Sequence, residues 1–116
     1  MWLIIGIFAV AAVVGLTMAL TVFQGKFPPV ASAVIHGALA ATGLVLLLVA
    51  VLAHGVAGPA RWALGFLLIA AVGGFVLALG FHARKKNLPA GAVIGHATLA
   101  VIGFLLLLAG ALHLIS

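Results

Sequence analysis

Four long apolar runs, separated by short breaks, constrain the fold of this chain more than any other feature. The runs cover roughly residues 2–23, 30–54, 60–82 and 90–115. Each is long enough to supply the roughly 20 helical residues that cross the hydrocarbon core of a bilayer. The prolines fall in the breaks or at the start of a run, where a missing backbone N–H costs no helical hydrogen bond: Pro28, Pro29, Pro59 and Pro89. The sequence therefore predicts four transmembrane helices.

The composition excludes a soluble domain. Hydrophobic residues make up 68% of the 116 positions and charged residues only 4%, with no aspartate or glutamate. A soluble domain of this size could not cover its surface with so few charges. A cleaved signal peptide is not expected at the N-terminus, since the first run is too long and has no basic segment before it. We predict a single transmembrane domain over residues 1–116.

The chain repeats itself after a shift of sixty residues. Both tryptophans of the chain are related by this shift, and so are scarce lysine, proline and histidine residues: Trp2 and Trp62, Lys26 and Lys86, Pro29 and Pro89, His36 and His96. We interpret residues 1–59 and 60–116 as two copies of a helical hairpin. Short connections make consecutive helices antiparallel neighbours. The predicted fold is all-α, an up-down four-helix membrane bundle of two tandem hairpins related by a pseudo-two-fold axis along the membrane normal.

The distribution of cations predicts an orientation. The first connection carries Lys26 and the third carries residues 84–86, whereas the second has only Arg61 beside it. Basic loops stay in the cytoplasm, so loops one and three are expected there and both termini outside, in the inner (cytoplasmic) membrane of a bacterium. Anionic lipid headgroups are the expected partners of the basic loops. Nucleic acid is not, because five cations divided between two membrane faces form no binding stripe.

Histidines within the apolar runs are the first candidates for function. His36 and His96 lie at equal depth in the second and fourth runs, which are diagonal in an up-down bundle, and an imidazole at this depth is costly and usually functional. The alternative is a neutral imidazole bonded to a carbonyl or hydroxyl, for which Ser32, Thr17 and Thr21 are available. Three further histidines lie nearer the ends of the runs: His54 and His113 as a possible second pair, and His82 as a solvated helix end, a ligand or a gate.

The glycines within the runs allow two interpretations. Small residues let membrane helices approach closely, or they leave room for a flat ligand. Gly15 and the pair Gly73–Gly74 lie at the depth of the histidines on the other diagonal, and Gly43 and Gly103 are repeat equivalents. All five are candidate cofactor-lining positions.

Haem b is the cofactor that suits these residues best. Zinc and copper sites usually use three or four protein ligands, whereas haem iron takes only two axial ones. His36 and His96 would be those ligands. Lys26, Arg84 and Lys86 lie on the same side of the bundle and could pair with the propionates. One haem is a more economical hypothesis than two.

Histidines on diagonal helices of a four-helix bundle, with glycines on the other two, resemble the membrane b-type cytochromes. The resemblance implies an inner haem held by His36 and His96, and an outer one held by His54 and His113. The two histidines of each helix stand closer together in that family than they do in this chain. The chain also resembles small tandem-hairpin bacterial membrane proteins with basic-x-x-Pro loops, as at residues 26–29 and 86–89, which implies a fold and no activity.

Two functions follow as hypotheses. The first is a haem-binding electron-transfer protein, or a haem-bearing subunit of a respiratory or oxidase assembly. The second is a cofactor-free structural or assembly subunit of a larger membrane complex or homo-oligomer. A proton-coupled exporter ranks last, because the chain has no carboxylate within the membrane. Catalysis by the chain itself is not expected, because no set of nucleophile, base and acid can be assembled without Cys, Asp or Glu.

Overall fold

The computed structural model describes residues 1–56 and 58–116, and this part of the chain forms four long helices. They are α1 (Trp2–Phe23), α2 (Val30–Leu52), α3 (Pro59–Leu77), which continues into a π-helical segment (Ala78–His82), and α4 (Ala90–Ala111). Each is long and apolar enough to cross a membrane. At 1.5 Å per residue, a 22-residue helix is about 33 Å long, close to the thickness of the hydrocarbon core. The prediction of four helices that could span a membrane is confirmed.

The helices form a bundle of two hairpins. Helix α1 packs beside α2 and α4, and α3 packs beside α4 and α2, so the diagonals are α1 with α3 and α2 with α4. Contacts are more extensive within hairpin 1 (α1 and α2) and hairpin 2 (α3 and α4) than between the two hairpins. The interface between the hairpins is therefore the less tightly packed boundary of the bundle.

The two ends of the bundle differ in packing. The terminal end holds Met1, the connection of residues 53–58 and the C-terminus, and the basic end holds the connections of residues 24–29 and 83–89. The main hydrophobic cluster lies wholly in the terminal half; its buried members are Ile4, Ile5, Phe8, Leu47, Val51, Ala60, Ala63, Leu64, Leu67 and Leu107. The basic half contains the partly buried side chains of His36 and His96 together with the buried Leu77 and Val93.

Two helices end earlier than the apolar runs suggested. Helix α2 ends at Leu52 and α4 at Ala111, whereas the predicted spans continued to residues 54 and 115. After α4, His113 takes a left-handed conformation (φ 57°), and its N–H donates to the carbonyl of Gly110. This backbone cap ends a helix by satisfying its last carbonyls. After α2, Gly55 is left-handed in the same way (φ 65°).

The same cap ends the helices at the basic end. Gly25 (φ 74°) follows α1, and Lys85 (φ 55°) follows the π-helical segment. The next N–H groups reach back five residues, from Lys26 to the Thr21 carbonyl (3.0 Å) and from Lys86 to the Phe81 carbonyl (2.9 Å). Glycine adopts the left-handed conformation without steric cost, but lysine does not.

Replacing Lys85 with glycine is expected to stabilise the protein. The substitution relieves the left-handed strain, and we expect the free energy of unfolding to rise by about 0.5–1 kcal/mol. The measurement is an SDS titration of the protein in mild detergent micelles. Lys86→Gly is the matched control, because it removes the same charge at a position without a positive φ. An equal gain in both variants would contradict the explanation.

Candidate functional site

His36 and His96 meet inside the basic half of the bundle. Their ring centroids are 6.1 Å apart and the ring planes are 79° from parallel. Each ring is partly buried. Because His36 belongs to α2 and His96 to α4, the pair joins the two hairpins across the bundle diagonal.

Each ring is oriented by one backbone carbonyl of its own hairpin. Nδ1 of His36 lies 2.8 Å from the carbonyl oxygen of Ala11, and Nδ1 of His96 lies 2.7 Å from that of Ala70. A carbonyl oxygen can only accept a hydrogen bond, so Nδ1 carries the proton in both rings. In a neutral imidazole this leaves the lone pair on Nε2. Within residues 1–56 and 58–116, neither Nε2 has a hydrogen-bond partner in the protein.

Two of the three hydroxyls considered as alternative partners, those of Thr17 and Thr21, bond to carbonyls of their own helix. The Thr17 hydroxyl donates to the carbonyl of Val14 at 2.7 Å, and the Thr21 hydroxyl donates to that of Thr17 at 2.8 Å. Both bonds stay within α1, as threonine hydroxyls in helices commonly do. The imidazoles therefore depend on helix carbonyls.

Glycines make these carbonyls accessible. Gly15 and Gly74 each stand four residues after the accepting alanine, directly over its carbonyl on the helix surface. A Cβ on Gly15 would lie 2.8 Å from Cε1 of His36, and one on Gly74 would lie 3.1 Å from Cε1 of His96. A Cβ on Gly73 would lie 3.8 Å from Cβ of His96. The missing side chains of Gly15 and Gly74 form notches that the two imidazoles fill, whereas a Cβ on Gly73 would make an ordinary contact.

A short recurring sequence marks both notches, but it is not aligned by the shift of sixty residues. The segments 11–15 and 70–74 read AAVVG and AAVGG, and the shift between them is one position shorter than the shift between the two histidines. The buried positions of α1 recur in α3 at the same shorter shift: Ile4, Ile5, Phe8 and Ala11, then Ala63, Leu64, Leu67 and Ala70. A search for a recurring Ala-Ala-Val-x-Gly would have found both accepting carbonyls.

The π-helical segment accounts for the change of spacing. Matching buried residues of α2 and α4 are sixty positions apart in the sequence, as in Gly43 with Gly103 and Leu47 with Leu107. Matching buried residues of α1 and α3 are one position closer. A π-helix closes its hydrogen bonds over five residues and so accommodates one extra residue. After this extra residue, matching positions of the two hairpins are again sixty apart, as in Lys26 and Lys86 of the basic connections.

The other glycine candidates serve helix packing in the terminal half. A Cβ on Gly43 would lie 2.8 Å from the ring of Phe8, and one on Gly103 would lie 2.7 Å from Cγ of Leu67. The space beside each glycine is therefore occupied by a large apolar side chain of the neighbouring helix. Neither position adjoins the histidine pair.

The remaining candidates lie at the two ends of the bundle. His54 and His113 are exposed and follow the ends of α2 and α4, so neither is held inside the bundle. Lys26, Arg84 and Lys86 are exposed in the basic connections. His36 and His96 are each six residues into their helices, and they therefore lie about 9 Å from the basic end.

His82 is more than the solvated helix end that the sequence suggested. Its Nε2 donates a hydrogen bond to the carbonyl of Pro28 at 2.9 Å. Its ring stacks on Phe27, with centroids 4.6 Å apart and planes 11° from parallel. His82 belongs to hairpin 2, whereas Phe27 and Pro28 belong to hairpin 1.

Two imidazoles that each have an unprotonated Nε2 could act as two metal ligands. A metal bound on opposite sides by imidazole nitrogens at about 2.0 Å places the ring centroids about 6 Å apart. Metal-binding histidines commonly donate their other N–H to a carbonyl, as both rings do here. Within the described residues no group of three or more His, Cys, Asp or Glu side chains could hold a metal ion. Two ligands suffice only where a macrocycle supplies the remaining positions.

No protein-family model, curated protein or solved structure matches the chain.

A methyl group in either notch is expected to displace the imidazole. Gly15→Ala would place Cβ 2.8 Å from the His36 ring, and we expect the free energy of unfolding to fall by roughly 1–3 kcal/mol. Gly74→Ala would place Cβ 3.1 Å from the His96 ring, which needs a shift of only a few tenths of an ångström, and we expect a smaller loss. SDS titration in mild detergent micelles measures the change.

Gly6→Ala and Gly65→Ala are the matched controls in α1 and α3, since a Cβ at either position meets nothing within 4 Å. These variants should be neutral or more stable by up to about 1 kcal/mol, because alanine favours the helix. Equal losses in the notch and control variants would contradict the role of the notches.

Proposed function

We propose that the protein is a membrane-embedded haem b protein that transfers electrons, alone or as the haem-bearing subunit of a respiratory or oxidase assembly. His36 and His96 would be the axial ligands of a single haem. The observation that carries the proposal is the edge-to-face pair of imidazoles, with ring centroids 6.1 Å apart and each Nδ1 bonded to a carbonyl. This arrangement leaves both Nε2 lone pairs for a metal.

The residues around the pair suit a haem in three respects. The donor set consists of two neutral nitrogens, which is the number that haem iron requires from a protein. The pair lies at the interface between the hairpins, where packing is less extensive than within them. The basic end, which is the end closer to the pair, carries Lys26, Arg84 and Lys86. The chain has no carboxylate side chain that would compete for these cations.

Bound haem would supply a one-electron redox couple inside the bilayer. The protein would contribute the two Nε2 ligands and the carbonyls of Ala11 and Ala70 that fix the ring orientation. The hydrogen bonds also raise the basicity of each imidazole as a ligand. The apolar helices around the pair would exclude water from the site.

The proposal includes an orientation and a duplicated architecture. Each hairpin makes the same contact, from an imidazole to a carbonyl beside a glycine, which supports two tandem repeats related by a pseudo-two-fold axis along the membrane normal. The cation distribution supports basic connections in the cytoplasm and both termini outside, in the inner membrane of a bacterium. Anionic lipid headgroups would pair with the cations that the haem leaves free.

A cofactor-free subunit of a larger membrane complex or homo-oligomer is the second candidate. It is favoured by the notches, because the imidazoles already fill them and each ring already has one hydrogen bond. Such a pair could stabilise the contact between the hairpins without a ligand. The two candidate functions differ in whether the purified protein shows the visible absorption bands of haem.

The absorption spectrum of protein purified in mild detergent from haem-replete cells separates the candidates. We expect the reduced-minus-oxidised bands of a six-coordinate b haem, lost in His36→Ala and in His96→Ala. His54→Ala and His113→Ala are the controls and should keep the bands, because both histidines lie beyond the helices. A colourless wild-type protein of normal fold would contradict the haem proposal and favour the structural subunit.

Single cysteines test the proposed orientation, since the chain has none of its own. A membrane-impermeant maleimide added to intact cells should leave Lys26→Cys and Lys86→Cys unlabelled and should label His54→Cys, because the first two positions would face the cytoplasm. Disruption of the cells should make all three reactive. Labelling of Lys26→Cys from outside would reverse the orientation.

A further inference from the structure

The two hairpins are joined covalently at one end of the bundle only. The chain passes from α2 of hairpin 1 to α3 of hairpin 2 at the terminal end. The main hydrophobic cluster also lies in that half and contains residues of all four helices. At the basic end, by contrast, each connection stays within its own hairpin.

One hydrogen bond links the hairpins within the part of the chain that the structure describes. It is the bond from Nε2 of His82 to the carbonyl of Pro28. The other hydrogen bonds of histidine and threonine side chains stay within one hairpin, and so do the backbone bonds of the turns and caps. The linking bond is at the basic end, opposite the covalent connection.

The surroundings of His82 hold it in place from both hairpins. Phe27 stacks on one face of the imidazole, and the side chain of Pro28 is among the most completely buried in the protein. The π-helical segment carries His82 at its last position, so the extra residue of this segment decides where the imidazole lies. π-Helical turns of this kind are frequent at functional sites.

We infer that His82, Phe27 and Pro28 form a latch that closes the basic end of the bundle over the histidine pair. The terminal end acts as the hinge, because both the chain connection and the close-packed cluster are there. Since His36 and His96 belong to different hairpins, releasing the latch separates them and opens the interface for a planar ligand. The inference rests on the proposed function and deepens it by assigning control of access to the same site.

The physical basis is the weak attraction between helices in lipid. Apolar faces gain little by leaving lipid for one another, so interhelical hydrogen bonds and close packing decide which helices stay together. Packing between the hairpins is less extensive than within them. A single hydrogen bond at the basic end can therefore control whether the two hairpins separate there.

The latch is tested by spin-label distances between the hairpins, which require no cofactor. Cysteines at Gln24 and Lys86 report the basic end, and cysteines at Trp2 and Trp62 report the terminal end; all four positions are exposed. His82→Phe keeps an aromatic ring against Phe27 but cannot donate a hydrogen bond. His82→Gln keeps an N–H donor but loses the ring.

We expect His82→Phe to create a longer distance between residues 24 and 86 and to leave the distance between residues 2 and 62 unchanged. Loss of one interhelical hydrogen bond should raise the ratio of open to closed molecules roughly three-fold to fifteen-fold. His82→Gln should stay close to the wild-type distribution. An unchanged distance in His82→Phe, or an equal change in His82→Gln, would overturn the latch.

These distances are independent of the haem proposal. If the protein is colourless and its basic end opens in His82→Phe, the latch is supported and the haem proposal is contradicted. If the protein binds haem and its distances are unchanged in His82→Phe, the haem proposal is supported and the latch is contradicted.

Discussion

The hydrogen bond between each buried imidazole and a helix carbonyl is the interaction on which the site depends. A histidine in the hydrocarbon region is costly, and a hydrogen bond from its N–H group to a carbonyl lowers that cost. Here the partner is a carbonyl already used within α1 or α3, and the glycine four residues later exposes it. The same bond fixes which nitrogen of His36 and of His96 carries the proton and leaves Nε2 without a proton.

The two halves of the bundle differ in how they are packed. The terminal half is filled by large apolar side chains around Leu47 and Leu107, which are fully buried or nearly so. The basic half exchanges that packing for two imidazoles and a hydrogen-bonded contact at His82. Close packing at one end allows the other end to hold polar groups without loss of the fold, and this arrangement permits both the ligand site and the latch that we propose.

The sequence predicted the parts of the structure that depend on hydropathy. The number of helices, their approximate bounds and the depth of Gly15 and Gly74 beside the histidines all follow from apolar length and from equal depth along antiparallel helices. The helix ends near His54 and His113 were not predicted, because a left-handed cap depends on backbone geometry that apolar composition does not show. The contact of His82 was also missed, since it depends on one extra residue in a π-helical turn. The accepting carbonyls of Ala11 and Ala70 belong to the backbone, and side-chain patterns indicate them only through the glycines.

The central claim is that the two imidazoles lie edge to face across the hairpin interface, each with Nδ1 protonated and Nε2 unprotonated. Nitrogen-15 NMR of histidine-labelled, cofactor-free protein in micelles tests it most directly, with assignment by single histidine substitutions. We predict the Nδ1–H form for His36 and His96 together with a short internuclear distance between their rings. An Nε2–H form in either ring, or no dipolar contact between them, would contradict the account.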